Sequence, residues 1–218
     1  MKLLAINGSP RKNWNTAKLL QKIVDGAVSQ GAETELVHLV DLNFKGCTSC
    51  FACKQIGGKF YGRCAMNDDL KPVLQKAHET DVLVLGTPFY FNMETAAMRA
   101  FEERLWFQYF LYTTQKPPLS PRKKATALVY TMNIKQENMV EYGKDRVVTY
   151  AKGIMERLFA PCEVLLACDT MQFEDYSKYE VDYFDVPSKL RRYEDVFPKE
   201  LEEAYQLGIR LIGNDSSK

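Results

Sequence analysis

Three stretches of this 218-residue chain carry residue types that could do chemistry. The first is Gly8-Ser9-Pro10-Arg11-Lys12-Asn13-Trp14-Asn15-Thr16, which follows a short apolar run and leads into a segment of helical period. Gly8 lets the backbone turn sharply, and Ser9, Asn15 and Thr16 offer short side-chain donors. The helix start behind them adds unclaimed N–H groups and the positive end of its dipole. That make-up suits a phosphate cradle, and it equally suits a plain N-cap loop, where Asn and Thr are favoured for their own sake. Neither G-x-x-x-x-G-K-[ST] nor G-x-G-x-x-G follows the first apolar run, which excludes the two commonest nucleotide loops.

The second stretch is Thr87-Pro88-Phe89-Tyr90-Phe91-Asn92-Met93-Glu94-Thr95. Three successive aromatic side chains point in different directions and cannot share one core layer. Some are predicted to wall a crevice, where flat apolar surfaces suit a planar ring, or to pack on a neighbouring helix or subunit. The third is Cys47-x-x-Cys50-x-x-Cys53, with Cys64 further on. Four thiolates can hold a [4Fe–4S] cluster or a zinc ion. They can also stay free as redox-active thiols beside a site, and free thiols are the first expectation here.

The elements that must position these stretches alternate. Residues 3–6 read as a buried strand, followed by a helix with Leu20, Ile23, Val24, Ala27 and Val28 on one face. Residues 33–39 form a second strand, and Asn67-Asp68-Asp69 opens a helix with a stripe of Leu70, Val73, Leu74 and Ala77. Residues 82–85 make the third strand, closed by Gly86-Thr87-Pro88, and 95–110 a helix. A strand at 125–131, a helix at 147–159, a strand at 164–167 and a closing helix at 198–212 complete the pattern. Alternating β and α units with fully apolar strands predict an α/β fold with a doubly wound, five-stranded parallel sheet of order 2-1-3-4-5. In that order ligands bind outside the carboxyl ends of strands 1 and 3, where the first two stretches lie. One domain spanning 1–218 is expected, with a tyrosine-rich extension at about 169–197 as the surplus.

Composition narrows the function. The 29 Lys and Arg against 28 Asp and Glu leave a net charge of +1, which argues against nucleic acid or an anionic membrane as partner. The longest charge-free runs, 82–93 and 105–115, fall well short of the roughly 20 residues that span a bilayer. No signal peptide is legible at the amino terminus, so a cytoplasmic location is expected, where thiols stay reduced. Cys162 and Cys168 read as small buried apolar residues, and His38 and His78 as structural. The aromatic stretch 105–112 reads as core on one side and a subunit interface on the other, with a homodimer or higher oligomer expected; the other reading is a helix simply buried within one chain.

The run Ile6-Asn-Gly-Ser-Pro-Arg-Lys-Asn-Trp-Asn-Thr16 resembles the phosphate loop of the NADPH-dependent FMN reductase group of flavodoxin-like proteins. Gly86-Thr-Pro-Phe-Tyr-Phe-Asn-Met93 followed by a helix resembles that group's isoalloxazine loop, and the likeness runs from about residue 1 to 110. It implies FMN phosphate contacts from Ser9, Arg11, Asn15 and Thr16. It implies flavin-ring contacts from Pro88, Phe89, Tyr90, Phe91, Asn92 and Met93. It implies NAD(P)H as the hydride donor and a small molecule or a protein as the electron acceptor. Trp14 departs from the pattern, as does Tyr130-Thr131-Met132-Asn133, where relatives carry glycines. A related branch, the iron–sulfur flavoproteins, uses a similar cysteine motif. An electron carrier with a [4Fe–4S] cluster on Cys47, Cys50, Cys53 and Cys64 is therefore the alternative, and a non-enzymatic zinc- or thiol-regulated binding protein is a second.

Overall fold

The computed structural model of the chain describes residues 1–120, 122–159 and 161–213. Strand β1 (Lys2–Asn7) leads through the first loop into α1 (Asn15–Ser29), and β2 (Glu33–His38) follows. A long connection carrying the cysteines reaches α2 (Leu70–Glu79), then β3 (Val82–Tyr90), the two-residue β4 (Met93–Glu94) and α3 (Ala96–Tyr109). Strand β5 (Ala125–Thr131), α4 (Lys144–Leu158), β6 (Cys162–Ala167), α5 (Val186–Asp195) and α6 (Phe197–Gly213) complete the chain.

The sheet runs β2-β1-β3-β5-β6, with every pairing among these five parallel. Strand β4 only folds back antiparallel on the end of β3. Set aside that short return and the five long strands stand in the expected 2-1-3-4-5 order. The inner strands β1, β3 and β5 are largely apolar because alternate residues feed two cores. The edge strand β2 carries Glu33, Thr34, Glu35 and His38 and buries no residue fully, so the expectation of fully apolar strands holds only inside the sheet. Leu4, Ile6, Leu83, Leu85, Leu128 and Tyr130 pack toward α2, α3 and α4. Leu3, Ala5, Val82, Val84, Ala127 and Val129 pack toward α1 and α6.

Helices α1 and α6 cross at two glycines. A Cβ on Gly26 would collide with the Tyr205 carbonyl, and one on Gly208 with the Ile23 carbonyl, so the backbones touch where no side chain fits. On α1, Leu20, Ile23, Val24 and Ala27 are buried as expected. Val28 is not; one position round the helix from Ala27, it turns to solvent.

Strand β3 is longer than its apolar run. It continues through Gly86, Thr87 and Pro88 in register with Val129, Tyr130 and Thr131. The last β1 partner is Asn7 opposite Gly86, so Pro88 lies past the end of β1 and interrupts no ladder on that side. The tyrosine-rich extension is packed rather than loose. The Phe173 and Tyr179 rings stack at 3.8 Å, and Lys189 of α5 buries its ammonium on Asp169 at 2.5 Å and the Thr170 carbonyl at 3.0 Å. Among the described residues, no helix is long and apolar enough to cross a membrane.

Candidate functional site

The carboxyl ends of β1, β3, β5 and β6 open on one crevice of about 150 Å3, walled by the loop that follows each. The first loop is held from both sides. Gly8 N–H donates to the Gly86 carbonyl at 2.8 Å, and the Thr95 hydroxyl donates to the Gly8 carbonyl at 2.8 Å while accepting from Met98 N–H at the start of α3. Gly8 has no positive φ; it is required because a Cβ would press on Met98 and Thr87. The Asn7 side chain accepts from Ser9 N–H at 2.9 Å, and its amide meets His38 Nδ1 at 2.9 Å. Burial, and then the Lys12 charge, push the His38 pKa down, which favours the neutral ring that can accept this bond.

Helix α1 begins behind this loop without a side-chain cap at Trp14, so its first N–H groups face the crevice mouth unclaimed by a capping oxygen. Ser9, Asn15 and Thr16 are buried, and the Thr16 and Thr131 hydroxyls pair at 2.8 Å. Three donors of the loop reach across to one strand of backbone. Asn15 Nδ2 and Trp14 Nε1 donate to the Met171 carbonyl at 2.8 and 3.0 Å, and Arg11 Nη1 donates to the Gln172 carbonyl at 2.5 Å. Trp14 thereby packs against the molecule itself, with the Arg11 guanidinium 5.1 Å from its ring centroid.

The aromatic stretch divides. Pro88, Phe89 and Tyr90 wall the crevice, and Phe89 stacks on Tyr130 at 4.8 Å with 13° between the planes. Phe91 and Asn92 are the centre of a two-residue hairpin turn, both with positive φ (49° and 67°), and Met93 follows on β4. These three sit at the rim and not on the wall, and Phe91 lies wholly in solvent. The Asn92 carboxamide oxygen accepts from Lys144 Nζ, which ties the hairpin tip to the start of α4.

Two walls were not assigned from the sequence. Thr131 ends β5 with Met132 and Asn133 after it, and Thr170 to Phe173 follow β6. For the first, the sequence signal is the place of the family's glycine-bearing loop, which Tyr130 to Asn133 occupy without glycine. For the second it is position alone, shortly after a parallel strand whose end points the same way as β1 and β3.

The four clustered cysteines meet elsewhere. Cys47, Cys50, Cys53 and Cys64 all line a second cavity of about 20 Å3 between their own loop and α3. Ser49 and Phe51, on either side of Cys50, adopt positive φ (54° and 56°), a costly conformation for residues with a Cβ. The longer gap before Cys64 loops out through Gly57 and returns where Gly62 N–H donates to the Cys53 carbonyl at 3.0 Å. Burial is the main cause that raises the Cys53 pKa. All six cysteines are free, and Cys162 and Cys168 are buried, each with its pKa pushed up to about 11 by burial. Among the described residues, no three or more His, Cys, Asp or Glu side chains stand in the geometry of a metal site. The four thiols wall one cavity and, as they stand, do not converge on a single ion. Soft thiols together with buried donors that lack acceptors, on Arg104 and Gln108 beside them, suit an anionic cluster better.

The family model for NADPH-dependent FMN reductase matches residues 1–143. The chain belongs to this family. The matched part carries the loops after β1, β3 and β5, while the loop after β6 and helices α5 and α6 lie beyond it. An iron-sulfur flavoprotein of Archaeoglobus fulgidus is 42% identical over 104 residues, 48% of this chain and 48% of its own length. This member of the reductase family spans about half the length of the curated relatives it matches. The NAD(P)H:quinone oxidoreductase of Methanothermobacter marburgensis superposes with a TM-score of 0.68 at 13% identity, covering 97% of this chain and 98% of that one. An FMN-dependent NADH-azoreductase of Bacillus anthracis, solved with FMN, superposes at 0.65 and 14% identity, covering 97% and 100%. At such identities these two neighbours establish the shared fold.

Proposed function

We propose that this protein is an FMN-dependent oxidoreductase that takes hydride from NAD(P)H and passes electrons to a small-molecule or protein acceptor. The observation that carries the reading is the meeting of an uncapped helix start with the Phe89–Tyr130 aromatic stack in one crevice at the switch point of the sheet. Ser9, Arg11, Asn15 and Thr16 would hold the FMN phosphate. Pro88, Phe89 and Tyr90 would face the ring, with Phe91, Asn92 and Met93 covering it from the hairpin. Bound FMN supplies the hydride acceptor, so the protein's own task is to bind, orient and shield, without an acid–base apparatus. A purified sample that is colourless, takes up no added FMN and leaves NAD(P)H unoxidised would sink this reading. FMN bound with no NAD(P)H oxidation would favour a non-enzymatic binding protein.

A second reading deepens the first and is favoured by the thiol cavity. Cys47, Cys50, Cys53 and Cys64 would hold a [4Fe–4S] cluster, making the protein an iron–sulfur flavoprotein, as its Archaeoglobus relative is named. Bound there, the cluster would supply one-electron transfer. Iron and acid-labile sulfide analysis of anaerobically purified protein decides it; absence of both leaves the thiols free. A homodimer completes the proposal, seated on the apolar groove that Trp106 and Phe107 of α3 and Phe110 just past its end line together with Tyr150 of α4. Light scattering tests it, and a monomer at micromolar concentration would refute it. The free cysteines support a reducing, cytoplasmic setting.

A further inference from the structure

One cation beside the thiol cavity is buried with more donors than partners. Arg104 of α3 is 1% exposed and lines the cavity together with Cys47, Cys50, Cys53 and Cys64. Its Nη1 donates to Asp68 at 2.6 Å and to the Lys45 carbonyl at 3.1 Å. Its Nε and Nη2 are buried and make no hydrogen bond. Gln108, one helical turn on, repeats the pattern. Its Oε1 accepts from Cys64 N–H at 3.0 Å, and its buried Nε2 has no acceptor. An unmet donor in a protein interior costs about 1–3 kcal/mol, more when charged, so three on one wall call for an acceptor there.

A surface ion pair would explain Asp68 and nothing more. A guanidinium stays charged at any physiological pH, and Asp68 answers only its Nη1 end. Lys45, Lys54 and Arg63, the cations next to the cysteines in sequence, do not line the cavity, and the Lys54 ammonium is already given to the Phe107 and Phe110 carbonyls at the end of α3. Arg104 is thus the cation whose free edge remains for the cavity. Thiolates are acceptors, and a four-thiolate [4Fe–4S] centre is an anion that becomes more negative when it takes an electron. Positive charge and N–H donors close to its sulfurs favour the reduced form and raise its potential.

We infer that Arg104, assisted by Gln108, sets the reduction potential of the iron–sulfur centre by presenting its unpaired donors to the thiolate sulfurs. The inference rests on the cluster reading above. No bond in the protein is made or broken; in the experiment the electron comes from dithionite, and the centre takes it without a proton.

The test is a dithionite titration of anaerobically loaded protein, followed by electron paramagnetic resonance, with iron and sulfide counted in each sample. R104Q removes the charge, R104K keeps it without the planar fork, and Q108M removes one neutral donor. R104Q is expected to lower the reduced-to-oxidised ratio at the wild-type midpoint about tenfold, equivalent to a midpoint about 59 mV more negative for one electron. R104K should recover most of that shift, and Q108M should move the midpoint the same way by less. Because R104Q leaves Asp68 half-buried and alone, the double variant D68N/R104Q removes both charges together and is read in the same way. Wild-type protein that holds no iron or sulfide overturns the cluster reading and this inference with it. Wild-type protein that holds the cluster, with R104Q and the double variant at an unchanged midpoint, overturns this inference alone. A variant that loses iron while the cluster remaining in it keeps the wild-type midpoint makes Arg104 merely structural, and also overturns it.

Discussion

The carboxamide of Asn15 donates to the main-chain oxygen of Met171 at 2.8 Å, tying the start of α1 to a loop 156 residues further along the chain. This contact joins the part of the chain matched by the reductase family to the part beyond it. It also means that one proposed phosphate ligand is shared with the wall after β6, so the two sides of the crevice are set together.

Asn15→Ala is expected to weaken FMN binding about tenfold to a hundredfold, the range for a lost hydrogen bond to a charged group. Asn15→Asp should weaken it further by placing a carboxylate beside the phosphate. Quenching of FMN fluorescence on titration with protein reads both. Unchanged affinity in the aspartate variant would remove Asn15 from the phosphate site.

Phe91 holds a positive φ with its ring in solvent, so in the free protein the ring contributes only strain. Phe91→Gly should raise the unfolding free energy of the FMN-free protein by up to about 1 kcal/mol. The same change should weaken FMN binding and slow NAD(P)H oxidation if the hairpin covers the flavin ring. Urea unfolding and steady-state assays together separate the two effects.

The Gly26–Gly208 crossing predicts that an alanine at either position is costly, since its methyl would meet backbone and not a side chain that can turn aside. Each is expected to destabilise by about 1–3 kcal/mol. In a chain of this size that lowers Tm by roughly 2–4 °C per kcal/mol. Calorimetry of FMN-free protein checks it.

Lys124 gives a pH signature. Its ammonium is buried on the Ala77 and His78 carbonyls at the end of α2, and burial lowers its pKa from 10.5 to about 8. The unfolded chain therefore binds the proton more tightly than the folded one between those values. Stability from this group rises as pH increases from about 8 to 10.5, by on the order of 3 kcal/mol in total. Lys124→Met should lack that rise in urea midpoints measured across the window. An equal rise in the variant would show that other groups cause it.

The legible parts of this molecule are local ones. Apolar runs at residues 3–6 and 82–85 marked strands buried on both faces, because the two-residue period feeds two cores at once. The loops after β1 and β3 were legible because glycine, short donors and adjacent aromatics are unusual in plain connections. The wall at Thr170 to Phe173 was not, since its contribution comes from backbone carbonyls, which every residue type carries.

The order of residues by itself determined the alternation of strands and helices, the parallel sheet and the two loops at its switch point. Each follows from side-chain period and turn chemistry within a few neighbours. Only the tertiary structure decided that four loops rather than two wall the crevice. Only it decided that Phe91 stands at the rim, and that the four thiols share a cavity with a buried guanidinium. Arg104 lies 40 residues beyond Cys64, and no local pattern reports which donors are left unpaired once a helix has packed.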